Sequence, residues 1–189
     1  QEIIMNYAAN AATLIIDTII GLYLYIILVR FWMQWVRADF RNPVGQFVIS
    51  TTSPFIIPLR KLLPPIGMVD TATLVFALIV AIIKVAALFA VVSSMPSAVN
   101  ILVFGASEVL RSSIHIFMAS VFIMIIASWI ASGSYNPIVS VAQQIAHPLM
   151  APAQRLLPNI GGFDLSPILV ILFLNLSLVL LVAPISPFI

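Results

Sequence analysis

The sequence predicts an all-α integral membrane protein: a tandem duplicated module, with about four transmembrane helices plus short interfacial amphipathic helices. Three observations carry that prediction. Hydrophobic residues make up 62% of the 189 and charged residues only 7%, where soluble domains run near 45–50% apolar and about 25% charged. Four continuous apolar stretches are each long enough for a bilayer core. A loop of distinctive proline spacing occurs twice at a fixed offset.

The apolar stretches are Thr18–Val36, Ala72–Val92, Ile114–Ala131 and Leu165–Ala183. Each runs about 18–21 residues, which at 1.5 Å per residue covers a hydrocarbon core of about 30 Å. They are continuous rather than alternating, which argues against in-membrane strands. Ile3–Ile16 and Ala98–Leu110 precede the first and third stretches and carry scattered polar residues: Asn6, Asn10, Asn100 and Glu108. Two readings fit them, amphipathic helices on the membrane surface or longer, tilted starts of the spans. No basic n-region with a small-residue cleavage site opens the chain, so no signal peptide is expected.

Asn42–Asp70 and Asn136–Asp164 align without a gap at an offset of 94, with ten of 29 positions identical. The shared residues are Asn42/Asn136, Pro43/Pro137, Pro54/Pro148, Pro58/Pro152, Leu62/Leu156, Leu63/Leu157, Pro64/Pro158, Ile66/Ile160, Gly67/Gly161 and Asp70/Asp164. Trp35 and Trp129 keep the same offset. The modules are therefore 1–95 and 96–189, each with two transmembrane helices around a Pro-rich loop, 42–70 or 136–164.

Nine of the 13 prolines lie in the two loops, and proline fixes φ and removes a donor, so the duplicated feature is a backbone path. Asn followed by Pro reads as N-cap and first helical residue. Ser53-Pro54 and His147-Pro148 read as the start of a second short helix, so each loop is expected to hold two. The second helix has apolar positions Phe55, Ile56, Leu59, Leu62 and Leu63, and carries Arg60 and Lys61 on its polar face. That is the pattern of an interfacial helix with its cations toward phosphate. A re-entrant hairpin is the alternative. Pro64 or Pro158 ends the helix, Gly67 or Gly161 turns the chain, and Asp70 or Asp164 caps the next span.

The run Arg30-Phe31-Trp32-Met33-Gln34-Trp35, the paired NP…P…P…LLP.IG..D loops and the tandem arrangement resemble the YggT family, with its bacterial YggT/YlmG and chloroplast CCB3-like members. The resemblance covers nearly the whole chain. The second copy lacks equivalents of Arg30, Arg37, Asp39 and Arg41, so the copies are not interchangeable. The resemblance implies a membrane factor rather than an enzyme. Chloroplast relatives are tied to maturation of a b-type cytochrome with an attached haem c, and bacterial ones to cell division, envelope organisation and osmotic tolerance.

Candidate chemistry is sparse. The chain has no cysteine, which excludes disulfides, iron–sulfur ligation, thiolate zinc and Cys-attached haem. No Ser/His/Asp set, paired in-span carboxylates or phosphate-binding glycine loop stands out. No catalytic residue, cofactor or metal site is expected. The only histidines, His115 and His147, could ligate haem; packing explains them more simply, and His147 before Pro148 reads as a cap. The charges Arg37, Asp39 and Arg41 could bind an anion or a partner, but solvated or headgroup-facing charges explain them more simply. Lys84 lies inside the second span, where a lysine costs a few kcal/mol unless paired. Its expected partner is Asp17, because both belong to the first module, with Glu108 next. An ion or substrate pathway is the alternative.

The expected function is a non-enzymatic assembly, scaffold or accessory subunit that binds a larger membrane-protein complex, most simply in a bacterial inner membrane. A small channel or transporter, acting alone or as a homo-oligomer, is the alternative, since duplicated modules are common in transporters. A quinone- or haem-handling role ranks third. The net charge of +2 is spread too thinly for nucleic acid. Arg37, Arg41, Arg60, Lys61 and Arg155 fall on the loop side, against Glu2, Asp17, Glu108 and Arg111 on the other. The positive-inside rule then puts the loops in the cytoplasm and the termini outside.

Overall fold

The computed structural model of the chain describes residues 2–91, 95–130, 135–157 and 164–186. The helices are α1 (Glu2–Trp35), α2 (Pro43–Leu62), α3 (Thr71–Val91), α4 (Ala98–Ile130), α5 (Pro137–Leu156) and α6 (Ser166–Ser177). The last continues as a π-helical turn, Leu178–Val182. The chain is an all-α membrane protein, and α2 and α5 start and stop 94 residues apart.

Tyr7–Trp35, Thr71–Val91 and Ala98–Ile130 are long and apolar enough to cross a bilayer. The stretches before the first and third spans are continuous with them, giving unbroken helices of 34 and 33 residues. This selects the longer-helix reading over separate surface helices. The fourth apolar helix, Ser166–Val182, is shorter. Proline bounds it at both ends: Pro167 suits a first turn, and Pro184 cannot donate to a continuing ladder.

The loops depart from expectation. Each holds one 20-residue helix, α2 or α5, not two short ones. Pro54 and Pro58 sit inside α2, as Pro148 and Pro152 sit inside α5. A proline within a helix deletes the bond to the carbonyl four residues back. In α2 those carbonyls belong to Ser50 and Pro54, and both residues are exposed. The ladder is interrupted only on the outward face. The inward face, Gly45, Val48, Thr52 and Ile56, is buried without a break. Ala142, Ala146 and Met150 repeat the last three positions in α5.

The packing follows the repeat. One core joins α1 (Leu24, Ile27, Leu28), α2 (Ile56) and α3 (Phe76, Ala77, Val80, Ala81), with Ile116 of α4 and Val141 and Ile145 of α5 at its edge. A second joins α4 (Ile114, Val121), α5 (Ala146, Met150, Ala153) and α6 (Val170, Leu174). Phe117 packs against both. Between the modules α3 lies against α4, and Gly105 allows the approach: a Cβ there would stand 2.6 Å from Ile82 Cγ1.

Candidate functional site

The two loop frames are built alike. Asn42 Oδ1 accepts from Gly45 N at 2.9 Å, and Asn136 Oδ1 accepts from Ile138 N at 2.9 Å. Pro43 and Pro137 follow as first helical residues. Pro54, Pro58, Pro148 and Pro152 lie on exposed faces. After α2, the Pro64 carbonyl accepts from Thr71 Oγ1 at 2.8 Å. Ile66 and Val69 then exchange backbone bonds around Gly67, whose φ of +61° favours glycine. Pro158 and Gly161 lie outside the described residues.

Asp70 stands immediately before α3 and is buried, with Oδ2 accepting from Thr73 Oγ1 and from Arg60 Nη2. Burial pushes its carboxyl up. The hydrogen bonds from Arg60 and Thr73, with the charge of Arg60, outweigh burial and hold the pKa below the usual carboxylate value. In the second module Gln154 Nε2 donates to Asp164 Oδ2 at 2.9 Å, and Asp164 Oδ1 accepts from Ser166 N at 2.8 Å. The two links occupy matched positions, one an ion pair and the other a hydrogen bond from a neutral amide to a carboxylate. Arg60 is thus not a cation held out toward phosphate. It is ion-paired to Asp70 and also donates to Gln34 Oε1 at 2.9 Å.

Ser53 and His147 do not cap second helices; both fall inside continuous ones. Ser53 Oγ instead accepts from Arg30 Nη1 at 3.1 Å, and Thr52 Oγ1 accepts from the same nitrogen at 2.6 Å. Arg30 is buried, and these bonds tie α1 to α2. His115 Nδ1 lies 3.1 Å from the Tyr25 hydroxyl, linking α4 to α1.

Lys84 has both candidate carboxylates. Its Nζ is 2.8 Å from Asp17 Oδ1 and 2.6 Å from Glu108 Oε1. Glu108 Oε2 also meets Arg111 at 2.9 Å, one helical turn along α4. Two positive and two negative side chains thus join α1, α3 and α4. Asp17 is half-exposed, while Lys84 and Glu108 are buried. The Glu108–Arg111 contact was readable from its i, i+3 spacing. The Arg30–Thr52 and Arg60–Gln34 contacts join separate helices, and no local pattern announces them.

A cleft of about 670 Å³ opens between the C-terminal end of α1 and α5, lined by Trp35, Arg37, Met68, Gln143, His147 and their neighbours. Asp39 N donates to Gln144 Oε1 at 3.0 Å, tying its two walls.

Both halves of the chain match one family model, CCB3/YggT, over residues 9–91 and 103–185. The chain belongs to the CCB3/YggT family. The two matches are displaced by the same 94 residues as the loops and as α2 and α5. The chain is 40% identical over 165 residues to a protein of Escherichia coli (strain K12) described as uncharacterized protein YggT, covering 87% of this chain and 86% of the relative. An uncharacterized protein of Pseudomonas aeruginosa is 38% identical over 169 residues, covering 88% and 86%. One of Vibrio alginolyticus is 34% identical over 170 residues, covering 89% and 90%. No solved structure gives a significant match.

Proposed function

We propose that this YggT-family chain is a non-enzymatic assembly or accessory subunit of the bacterial inner membrane, docking against a larger membrane-protein complex. One observation carries the reading. Each module fixes a 20-residue helix at the end of its first long helix, and α2 turns an apolar face outward. Phe47, Phe55, Ile57 and Leu62 are exposed on α2, and Ile138 and Leu156 on α5. Two proline-marked helices with locked inner faces form a docking surface that loses little side-chain or backbone freedom on binding. The positive-inside rule turns this surface to the cytoplasm.

The test is isolation of the full chain from native membranes in mild detergent. A stoichiometric membrane-protein partner is expected. Pro58→Ala and Pro152→Ala should lower its recovery more than they lower the melting temperature of the chain. Recovery of the bare chain alone, with its helix content intact, would sink the reading.

The charged quartet Asp17, Lys84, Glu108 and Arg111, with Lys84 and Glu108 buried, favours one alternative, a small channel or transporter, because ionisable residues inside spans commonly mark transport paths. Reconstituted chain that conducts ions, and stops when Lys84 becomes Met, would favour that alternative.

A further inference from the structure

We propose that the cleft between the end of α1 and α5 is a binding site for a phosphate group, gripped by Arg37. The site is independent of the docking reading. It starts from how α1 ends. Ala38 N donates to Met33 O at 2.7 Å and Arg37 N to Gln34 O at 3.1 Å, the paired bonds of a Schellman motif. Arg37 occupies the left-handed position of that motif with φ of 55°, and it is the only non-glycine residue with positive φ among the described residues. Glycine makes the same two bonds there without the backbone cost. The arginine side chain adds nothing to the core, because Arg37 is exposed.

What the side chain gains is the cleft. Arg37 lines it with Trp35, Met68, Gln143 and His147. No hydrogen bond or ion pair holds the guanidinium among the described residues, and the lining includes no carboxylate. The nearby Asp39 carboxylate accepts instead from Arg41 N at 2.8 Å. Both walls are held in place. Asp39 N donates to Gln144 Oε1, and Gln144 Nε2 donates back to Ser140 O at 3.0 Å. The result is a preformed recess with a planar, always-charged donor fork, further polar groups on Gln143 and His147, and an apolar flank of Trp35 and Met68. Those are the requirements of a phosphate ester carrying an apolar or glycerol portion. A phospholipid headgroup and a soluble phosphate ester share this chemistry.

Native mass spectrometry of the delipidated full chain in phosphate-free detergent separates the cases. The probes are dioleoylphosphatidylglycerol, glycerol 3-phosphate and, as a lipid without phosphate, dioleoylglycerol. At least one phosphate probe should bind the unaltered chain in preference to dioleoylglycerol. Arg37→Gly should weaken that binding about tenfold or more, as expected for losing a charge-assisted donor, without lowering the melting temperature. Binding of phosphatidylglycerol alone assigns the site to lipid, and equal dependence on Arg37 for glycerol 3-phosphate assigns it to soluble esters. If Arg37→Gly lowers the melting temperature, Arg37→Asn makes the same comparison, because Asn tolerates the left-handed region. Phosphate probes that bind no better than dioleoylglycerol, or that bind the variants as tightly as the unaltered chain, overturn the proposal.

Discussion

Lys84 Nζ lies 2.6 Å from Glu108 Oε1, and both side chains are almost wholly buried. The contact joins α3 of the first module to α4 of the second. Asp17, the other carboxylate on Lys84, is 53% exposed. Removing one partner of a buried pair costs up to about 3–5 kcal/mol, less here because Arg111 still meets Glu108 and Asp17 still meets Lys84, whereas an exposed pair contributes about 0–1 kcal/mol. In a double-substitution cycle, Lys84→Met with Glu108→Gln should therefore show the larger coupling, and Lys84→Met with Asp17→Asn the smaller. Unfolding of each variant in detergent measures this. Equal couplings would mean that both carboxylates share one environment.

The same inter-module face gives a second expectation. A methyl group at Gly105 would stand 2.6 Å from Ile82 Cγ1 and 3.3 Å from the Ile82 Cα and N atoms. The first clash is with a side chain, the others with α3 backbone. Gly105→Ala should therefore cost about 1–3 kcal/mol by pushing α3 from α4. Ile82→Ala should recover only part of it, because the backbone contacts remain. Full recovery in the double variant would show that the helices can separate freely.

Arg60 and Asp70 predict a pH effect. The Asp70 carboxyl is held below its ordinary value in the folded chain. A group shifted that way adds stability above its unfolded pKa, about 3.9 for Asp, and loses it as pH falls through the lower folded value. Stability should therefore drop on acidification below about pH 5, and Asp70→Asn should flatten that drop. Arg60→Gln would reproduce the amide–carboxylate Gln154–Asp164 link of the second module. It should cost about 1 kcal/mol, since Arg60 is partly exposed, and move acid unfolding to higher pH. An unchanged acid profile in Asp70→Asn would show that other carboxylates dominate it.

Much of this fold is legible in the sequence because bilayer length and duplication act over whole segments. The offset that aligns Pro54 with Pro148 also fixes the ends of α2 and α5. The break expected at Ser53-Pro54 does not occur, because a proline on an exposed face frees a carbonyl toward solvent and leaves the buried stripe intact. Local punctuation is a weaker constraint there than the packing of Thr52 and Ile56. Lys84 was conspicuous as a charge in an apolar run. Its contact with two carboxylates at once depends on α1 and α4 both flanking α3, which no single segment encodes. Arg37 was visible only as one loop charge among several. Its left-handed backbone and its cleft come from the way α1 ends and from α5 arriving beside it.

Orientation gives the last prediction. The loop-side cations Arg37, Arg41, Arg60, Lys61 and Arg155 outnumber the single Arg111 at the opposite end, so the turn after α2 should face the cytoplasm. A cysteine reporter is clean in a chain that has none. Gly67 is a poor site for it, since its positive φ would strain any side chain. Met68 is 51% exposed and adjoins the same turn. Met68→Cys should stay unlabelled by an impermeant maleimide added to intact cells and react after permeabilisation. Tyr7→Cys, near the N-terminal end of α1 and 71% exposed, should show the opposite behaviour. Labelling of Met68→Cys in intact cells would invert the topology. It would also move the docking surface of α2 and α5, together with the Arg37 cleft, to the outer face of the membrane.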